Sequence, residues 1–321
     1  MDAIVIGSGL AGLSTALTIL DAGGSVAVLE KEAKMGGNSI KASSGINACP
    51  TPDDQSAFLE DTVKSSNGSN GNGNGRSNSN HHRNSSKLIQ TLVENSSEAV
   101  LGWLQKRLEL DLSQVAQLGG HSTARTHRPG GKLPVGAEIM IKLQQAVQSY
   151  QEKGTVQILT NCKVVKLLQD ENGKVIGVVY EKTTEEREEE AGEKNATTEE
   201  IKAKQGVVLA TGGFAADRTT GSWLSKYRPE WLKLGATAGD FSTGDGLSLA
   251  TSLSGKKAGL VDMDQVQVHP TGFIDPKDPE NPNKFLAAEV LRGVGAILLN
   301  KEGKRYVVDG AWTNCISTQR N

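Results

Sequence analysis

The first thirty residues of this chain contain the feature that most restricts its fold. An apolar run, Ala3–Ile6, leads directly into Gly7-Ser8-Gly9-Leu10-Ala11-Gly12, and a second apolar run, 26–29, ends at Glu30. The pattern predicts a strand, a helix over Leu10–Asp21 and a second strand. In a G-x-G-x-x-G turn the first glycine permits the tight bend, the second lets a pyrophosphate approach, and the third lets the helix pack closely on the sheet.

The same segment predicts what the turn binds. Unpaired N–H groups at the start of a helix attract a phosphate, and an acid about twenty residues further on accepts a hydrogen bond from a ribose 2′-hydroxyl. Glu30 lies at about that distance from Gly12. An acid at this position is unfavourable for a 2′-phosphate, so the pattern favours NAD or FAD over NADP.

Composition narrows the choice of partners and compartment. A formal net charge of −2 over 321 residues gives no electrostatic reason to expect a nucleic acid or an anionic membrane as partner. Cys49, Cys162 and Cys315 lack the spacing of a metal site, so we expect no metal and reduced thiols. Reduced thiols favour a cytoplasmic protein, while a mitochondrial location stays open if an upstream targeting segment is missing.

Two polar segments interrupt the globular pattern. Residues 65–86 are almost entirely Ser, Asn and Gly, and residues 183–200 are strongly acidic. Such stretches bury too little apolar area to offset the entropy lost on ordering. We therefore predict flexible surface insertions at both places, and a helix over 87–108 from its apolar spacing.

The order of the later elements distinguishes NAD from FAD. Three runs resemble strands of an antiparallel meander, with a hairpin turn at 171–174: 156–159, 162–168 and 175–180. A buried strand, 206–210, then ends at Thr211-Gly212-Gly213. An NAD dehydrogenase repeats βαβ units, whereas an FAD-type Rossmann domain inserts a small meander and returns with a strand and a glycine turn. The sequence therefore favours FAD.

Further motifs resemble those of one flavoprotein family. In chain order they are Glu30–Asn47, Gly119–Ser122, Arg125–Arg128, Ala210–Phe214, Thr243–Gly246, Asp262–Gly272 and Phe285–Gly293. Together they resemble the fumarate reductase and flavocytochrome c family, and most of all its fungal-type soluble FAD-dependent fumarate reductases. The resemblance covers roughly residues 1–307 apart from the two insertions.

The resemblance implies an α/β fold with two domains. An FAD-type Rossmann domain, with a central parallel sheet and an inserted antiparallel meander, is expected over 1–263. The start of an α+β capping domain is expected over 264–307. The tail, 308–321, does not resemble the family, and we expect the chain to be carboxy-terminally truncated relative to it.

The resemblance also implies which residues hold FAD. In membrane-bound relatives a histidine at the position of Ser39 carries the flavin covalently, so a serine there implies non-covalent FAD. The expected cofactor-binding residues are Gly7, Gly9, Ala11, Gly12, Glu30, Lys31, Asn38, Ser39, Ser44, Gly45, Val164, Thr211, Gly212 and Asp245.

Fumarate reduction requires a hydride at one alkene carbon, a proton at the other, and donors around the substrate carboxylates. The resemblance assigns His269 to a substrate carboxylate, and Glu289 and Arg292 to a proton relay. The alternatives are a structural histidine and a surface ion pair across one helical turn. The implied partners are a small dicarboxylate, fumarate, and a reduced-flavin or NADH-linked electron donor, with the chain a monomer.

The chain departs from the family where its catalytic arginine is expected. Trp312 occupies that place, and Arg320 is the only arginine that follows it. Two hypotheses stay open: an incomplete copy of a fumarate reductase, or a catalytically inactive flavin-binding fragment. A related 2-enoate reductase or ketosteroid dehydrogenase is a third.

Overall fold

A computed structural model describes residues 1–67, 79–183, 196–255, 258–269, 271–288, 291 and 295–305. Its α-helices are α1 Leu10–Asp21, α2 Gln55–Asn67, α3 Ser79–Ser97, α4 Gln105–Arg107, α5 Val135–Gln148, α6 Trp223–Tyr227 and α7 Asp245–Thr251. A π-helical segment, Glu98–Leu104, joins α3 to α4, and short 3₁₀ turns lie at Gly37–Lys41, Pro52–Asp54 and Pro229–Lys233.

The described strands are β1 Ala3–Ile6, β2 Val26–Leu29, β3 Ile46–Asn47, β4 Gln114–Ala116, β5 Thr126–Arg128, β6 Val156–Leu159, β7 Cys162–Gln169, β8 Val175–Thr183, β9 Ala196–Lys202, β10 Gly206–Leu209, β11 Gly272–Phe273 and β12 Phe285–Leu286. No described helix is both long enough and apolar enough to cross a membrane.

The chain forms two compact units. The first unit consists of Met1–Lys41 and Gly136–Asp264, and the second consists of Ala42–Val135 and Gln265–Asn321. This grouping separates 42–135 from the rest of the segment that we assign to the FAD-binding domain. The division into domains 1–263 and 264–307 therefore stays a prediction, and the tail 308–321 lies outside the described residues.

A parallel sheet forms the centre of the first unit, in the order β10-β1-β2-β6. β1, α1 and β2 have the predicted bounds. All residues of β1 and β2 are buried, as expected for continuous apolar runs in a parallel sheet. We predicted a buried strand at 206–210, which was wrong: β10 is an edge strand, and Leu209 is 39% exposed.

An antiparallel meander, β7-β8-β9, is inserted between β6 and β10. Gly173, with φ of +80°, forms the predicted β7–β8 turn. The prediction that β6 belongs to the meander was wrong, because β6 pairs in parallel with β2. Its short run does not reveal its partner, but the preceding helix α5 provides the crossover that parallel pairing requires. The inserted meander confirms the FAD-type α/β fold.

The predicted flexible insertions are in part regular structure. α2 continues to Asn67 and α3 begins at Ser79, so only the centre of 65–86 lies outside the described residues. Strand β8 reaches Thr183 and β9 begins at Ala196, with 184–195 not described. These elements extend beyond their apolar cores because adding a residue to an existing helix or ladder costs far less than starting one.

The second unit contains a small antiparallel sheet, β3-β5-β4, and the helices α2 and α3. The predicted helix at 87–108 is confirmed as helical structure, but Leu88 and Leu92 are exposed instead of buried. The face of the helix that carries Val93 packs inward, against Cys49 and Phe58, whereas the face that carries Leu88 and Leu92 is exposed. Cys49 and Cys162 are buried free thiols; Cys315 is not described.

Candidate functional site

A cavity of about 910 Å³ lies in the first unit, at the carboxyl ends of β1, β2 and β10. In open α/β sheets, ligands bind outside the carboxyl ends of the strands, at the point where the strand order reverses. β1 is that point here, since β2 flanks it on one side and β10 on the other. The volume is within the usual range of cofactor sites, roughly 300–1,000 Å³.

Most of the predicted cofactor-binding residues line this cavity. They are Gly7, Gly9, Ala11, Glu30, Lys31, Asn38, Ser39, Val164, Thr211, Gly212 and Asp245. Gly12 is a buried residue of α1 and does not line the cavity. Ser44 and Gly45 belong to the second unit.

Glycine is required at two positions of the β1–α1 turn. Gly7 has φ of +98°, and a Cβ there would lie 2.4 Å from the carbonyl oxygen of Ala210. A Cβ on Gly12 would lie 1.9 Å from the carbonyl oxygen of Gly7. The absence of both side chains lets α1 start directly beside β1, which brings its first N–H groups to the cavity.

Glu30 forms a buried anchor at the tip of β2. Its Oε2 accepts hydrogen bonds from the Ser8 N–H (3.0 Å) and the Ser8 hydroxyl (2.5 Å), while Oε1 accepts the Glu32 N–H (3.0 Å). An ionised carboxylate has about four acceptor positions. These three bonds therefore fix its orientation and leave room for one further donor, such as a ribose hydroxyl.

Lys31 joins two walls of the cavity. Its Nζ lies 2.7 Å from Asp245 Oδ2 and 2.8 Å from Thr243 Oγ1, and Thr243 donates 2.9 Å to Asp245 Oδ1. Burial acts to raise the pKa of Asp245, but the hydrogen bonds from Lys31 and Thr243 and the charge of Lys31 outweigh it, so this pKa lies below its ordinary value. Asp245 is therefore ionised at neutral pH.

The loop that follows β2 is held by two more side chains. Asn38 donates to Ser242 Oγ at 2.7 Å and accepts the Gly239 N–H at 2.8 Å. Ser39 Oγ accepts the Leu10 N–H at 3.1 Å, at the first residue of α1. This hydrogen bond places the serine hydroxyl at the start of the helix, where the sequence predicts a phosphate.

Sequence reasoning missed Ser8 and Ser242. Both are buried and support predicted site residues, Ser8 through Glu30 and Ser242 through Asn38. Ser8 occupies a variable position of the glycine fingerprint, so no spacing rule identifies it. Ser242 directly precedes the Thr243–Gly246 motif, and that adjacency is the only signal that points to it.

The predicted catalytic residues belong to the second unit, and the structure describes one of them. His269 is partly buried, with Nδ1 2.9 Å from the carbonyl oxygen of Thr271 and 3.3 Å from its backbone nitrogen. Glu289 and Arg292 lie outside the described residues. No cluster of potential metal ligands occurs in the described part of the chain.

The parallel sheet, the glycine turn and the acid at the tip of β2 define a dinucleotide-binding protein of the flavoprotein type. Residues 2–318 match the FAD binding domain family, and the chain belongs to that family. The match includes most of the tail 308–321. FAD is therefore the cofactor.

Three similar proteins bear on the function. The chain is 41% identical to a fumarate reductase of Schizosaccharomyces pombe, over 95% of this chain and 56% of that protein. It is 40% identical to fumarate reductase 1 of Saccharomyces cerevisiae, over 95% of this chain and 60% of that protein. The solved open conformation of a flavocytochrome c3 fumarate reductase matches with a TM-score of 0.71 at 29% identity, over 99% of this chain and 50% of that chain.

The residues of the cavity fit FAD. The two glycines let the turn and the start of α1 pack closely against the backbone around them, which brings the helix N–H groups to the cavity, and Glu30 presents a carboxylate where a ribose is expected. The remaining walls include apolar side chains such as Val164, Leu247 and Phe241.

Proposed function

We propose that this chain is an FAD-dependent fumarate reductase, which reduces fumarate to succinate. The observation that carries the proposal is its 41% identity with the fumarate reductase of Schizosaccharomyces pombe along 95% of this chain. The chain spans 56% of the length of that relative, so activity and substrate come to it by similarity. The position of His269 within the His-Pro-Thr motif supports the same substrate.

The cofactor residues divide into three groups by role. Gly7, Gly9, Ala11 and Gly12 bring the backbone N–H groups of α1 to the pyrophosphate. Glu30 and Lys31 act at the adenosine end, with Val164 against the adenine. The others hold the remaining parts of FAD: Asn38, Ser39, Ser44, Gly45, Thr211, Gly212 and Asp245. Because Ser39 offers no imidazole nitrogen for a bond to the flavin, the cofactor is bound non-covalently.

The substrate is a dianion, and negative charge increases on one carboxylate as the alkene is reduced. When bound and reduced, FAD supplies the hydride. His269 donates from Nε2 to a fumarate carboxylate, while its Nδ1 lies against the backbone of Thr271. Its backbone contacts fix the ring, so that the donor is oriented before the substrate binds.

The proton for the second alkene carbon comes through Glu289 and Arg292. In the family that the chain resembles, a relay of this kind passes a proton from a carboxylate to a catalytic arginine; in this chain Trp312 stands where that arginine is expected. We assign these two residues as the relay.

A second candidate is a flavin-binding protein without catalytic activity. It is favoured by Trp312, which stands where the resemblance puts the catalytic arginine. An indole N–H can donate a hydrogen bond, but it carries no positive charge and does not supply a proton. The two candidates share the cofactor and differ in turnover.

The electron donor and the compartment are also proposals. A relative from Klebsiella pneumoniae, 32% identical over 313 residues, is an NADH:fumarate oxidoreductase, which supports an NADH-linked donor beside a reduced flavin. We propose a cytoplasmic monomer.

The FAD-loaded chain should reoxidise reduced viologen when fumarate is added, without oxygen. A panel of other 2-enoic acids and a ketosteroid tests the substrate class, and fumarate should give the highest kcat/KM. His269→Ala should raise KM for fumarate at least about tenfold, since a hydrogen bond to a charged group contributes about 1.5–3 kcal/mol. Bound flavin without turnover on any of these compounds would favour the second candidate.

A further inference from the structure

The second unit contains a fully buried arginine that none of the assigned roles uses. Arg125 has no exposed surface. Its guanidinium donates to Asp61 (Nη1, 2.6 Å), to Asp54 (Nε, 3.3 Å) and to the hydroxyls of Ser122 and Thr123 (Nη2, 3.3 and 2.8 Å). The phenyl ring of Phe58 lies 4.8 Å from the guanidinium carbon. We call Arg125, Asp54, Asp61, Ser122 and Thr123 the arginine cluster.

The geometry of the arginine cluster is fixed from several directions. Asp61 also accepts the backbone N–H and the hydroxyl of Ser122, at 2.7 and 2.8 Å, and Thr123 donates to Asp54. Both carboxylates are less than a tenth exposed. A planar guanidinium with this many partners tolerates little displacement. The arginine cluster therefore fastens the chain before β5 to α2, which carries Asp61.

The next residue along the chain transmits this constraint. Thr126, the first residue of β5, pairs with Asn47 of β3, and its Oγ1 donates to Asn47 Oδ1 at 2.7 Å. Ala48 N–H donates to the carbonyl oxygen of Arg125 at 3.0 Å. Both bonds hold the segment that directly follows Ser44 and Gly45.

Gly45 is fitted closely against β5. Its φ is +147°, and a Cβ at this position would lie 2.3 Å from Thr126 Cγ2 and 2.8 Å from the carbonyl oxygen of His127. The backbone at Gly45 therefore follows the position of β5, and any shift of β5 moves it. This close contact extends the chain of constraint from Arg125 to the loop.

We propose that Arg125 is a positioning residue for the flavin loop, Ser44–Gly45, and acts on it through β5 and β3. The inference rests on the proposed function, in which this loop contacts the flavin. Arg125 itself touches neither cofactor nor substrate. It holds the strand against which the loop is built, so that the loop is in place before the isoalloxazine binds.

The test compares FAD with ADP, which lacks the isoalloxazine that the proposed function assigns to the flavin loop. Titration calorimetry on the full chain gives both dissociation constants, and the visible absorption of the flavin reports its surroundings. The variants are Arg125→Met and Thr126→Val, the second of which removes one hydrogen bond while keeping the shape. Arg128→Met, on the same strand but outside the arginine cluster, is the matched control.

Both test variants should weaken FAD at least about tenfold, the effect of one or two lost hydrogen bonds, while the ADP constant stays within about twofold. Arg128→Met should change neither. An equal change for FAD and ADP, or an unchanged FAD constant and spectrum, would overturn the positioning role. If Arg125→Met does not fold, Thr126→Val tests the link from β5 to β3 on which that role depends, and an unchanged FAD constant in it overturns the role. Wild-type chain that binds neither ligand would refute the proposed function itself.

Discussion

Substituting Gly12 by alanine should separate FAD affinity from stability. The added Cβ would lie 1.9 Å from the carbonyl oxygen of Gly7, 3.0 Å from its carbonyl carbon and 3.4 Å from Ala210 Cβ. Ordinary contacts lie near 3.5 Å, so α1 and the turn must separate by roughly 1.6 Å along this direction. Backbone atoms of the phosphate turn form most of the obstacle, and a rotamer change cannot relieve it.

Two opposing effects set the change in stability. Alanine is a better helix former than glycine by about 1 kcal/mol, whereas overpacking costs about 1–3 kcal/mol. The free energy of unfolding should therefore fall by no more than about 2 kcal/mol. FAD binding should suffer more, because the helix N–H groups move away from the pyrophosphate, and we expect a loss of about tenfold to a hundredfold, or 1.4–2.8 kcal/mol.

The assay is fluorescence titration with FAD beside thermal unfolding of the apoprotein. Gly206→Ala is the matched control, because it adds the same methyl group in the same unit, on strand β10, where no atom lies within 4 Å. It should leave the free energies of FAD binding and of unfolding unchanged within about 0.5 kcal/mol. FAD affinity of Gly12→Ala equal to that of the control would refute the assignment of this turn to the pyrophosphate.

Three further predictions follow from named contacts. The pKa of Asp245 is lowered in the folded chain, so its contribution to stability is full above the ordinary pKa of about 3.9 and is lost as the pH falls through the folded value. The wild-type Tm should therefore decrease at acid pH by an amount that is absent in Asp245→Asn. The same pH profile of Tm in both proteins would contradict this. Acid precipitation should release all flavin into the supernatant, since Ser39 cannot form the covalent link; a yellow pellet would show otherwise. Arg125→Met leaves two buried carboxylates without their cation, so the free energy of unfolding, measured by urea denaturation, should fall by about 3–5 kcal/mol. For the control Arg128→Met the fall should be less than about 0.5 kcal/mol.

Local patterns were sufficient for the first thirty residues. The apolar runs and the spacing of the glycines predicted β1, α1 and β2 with their observed bounds, because strand, turn and helix there depend on neighbouring residues. Of the residues that line the cavity, Gly7, Gly9 and Glu30 follow from the same turn and its acid, whereas Asn38, Ser39, Val164, Thr211, Gly212 and Asp245 came from the family resemblance. The ion pair between Lys31 and Asp245 was not predicted, since these residues are far apart along the chain and only the fold brings them together.

Pairing over long distances was harder to predict. The run at β6 has the same pattern as a meander strand, and only the crossover through α5 makes its pairing with β2 parallel. The sequence also does not show that β10 is an edge strand, because exposure depends on what lies beside it in the sheet. Ser79 is helical although its surroundings are polar, because helix α3 is stabilised further along by Val93, packed beside Cys49 and Phe58.

The arginine cluster illustrates the same difficulty within a site. Asp54, Asp61 and Arg125 have no spacing that distinguishes them from surface charges. Only the tertiary structure brings the two carboxylates to one guanidinium. Because all three groups are buried, their hydrogen bonds allow little change in position. The Arg125–Arg128 motif marked the segment, and the structure supplied its partners.

The formation of succinate from fumarate tests the proposed function most directly. The purified chain is stripped of flavin, reloaded with FAD and supplied with a reduced viologen without oxygen, and succinate is measured by NMR. The proposed function predicts succinate that requires FAD and that decreases in His269→Ala. Stoichiometrically bound FAD with no succinate formed would contradict it.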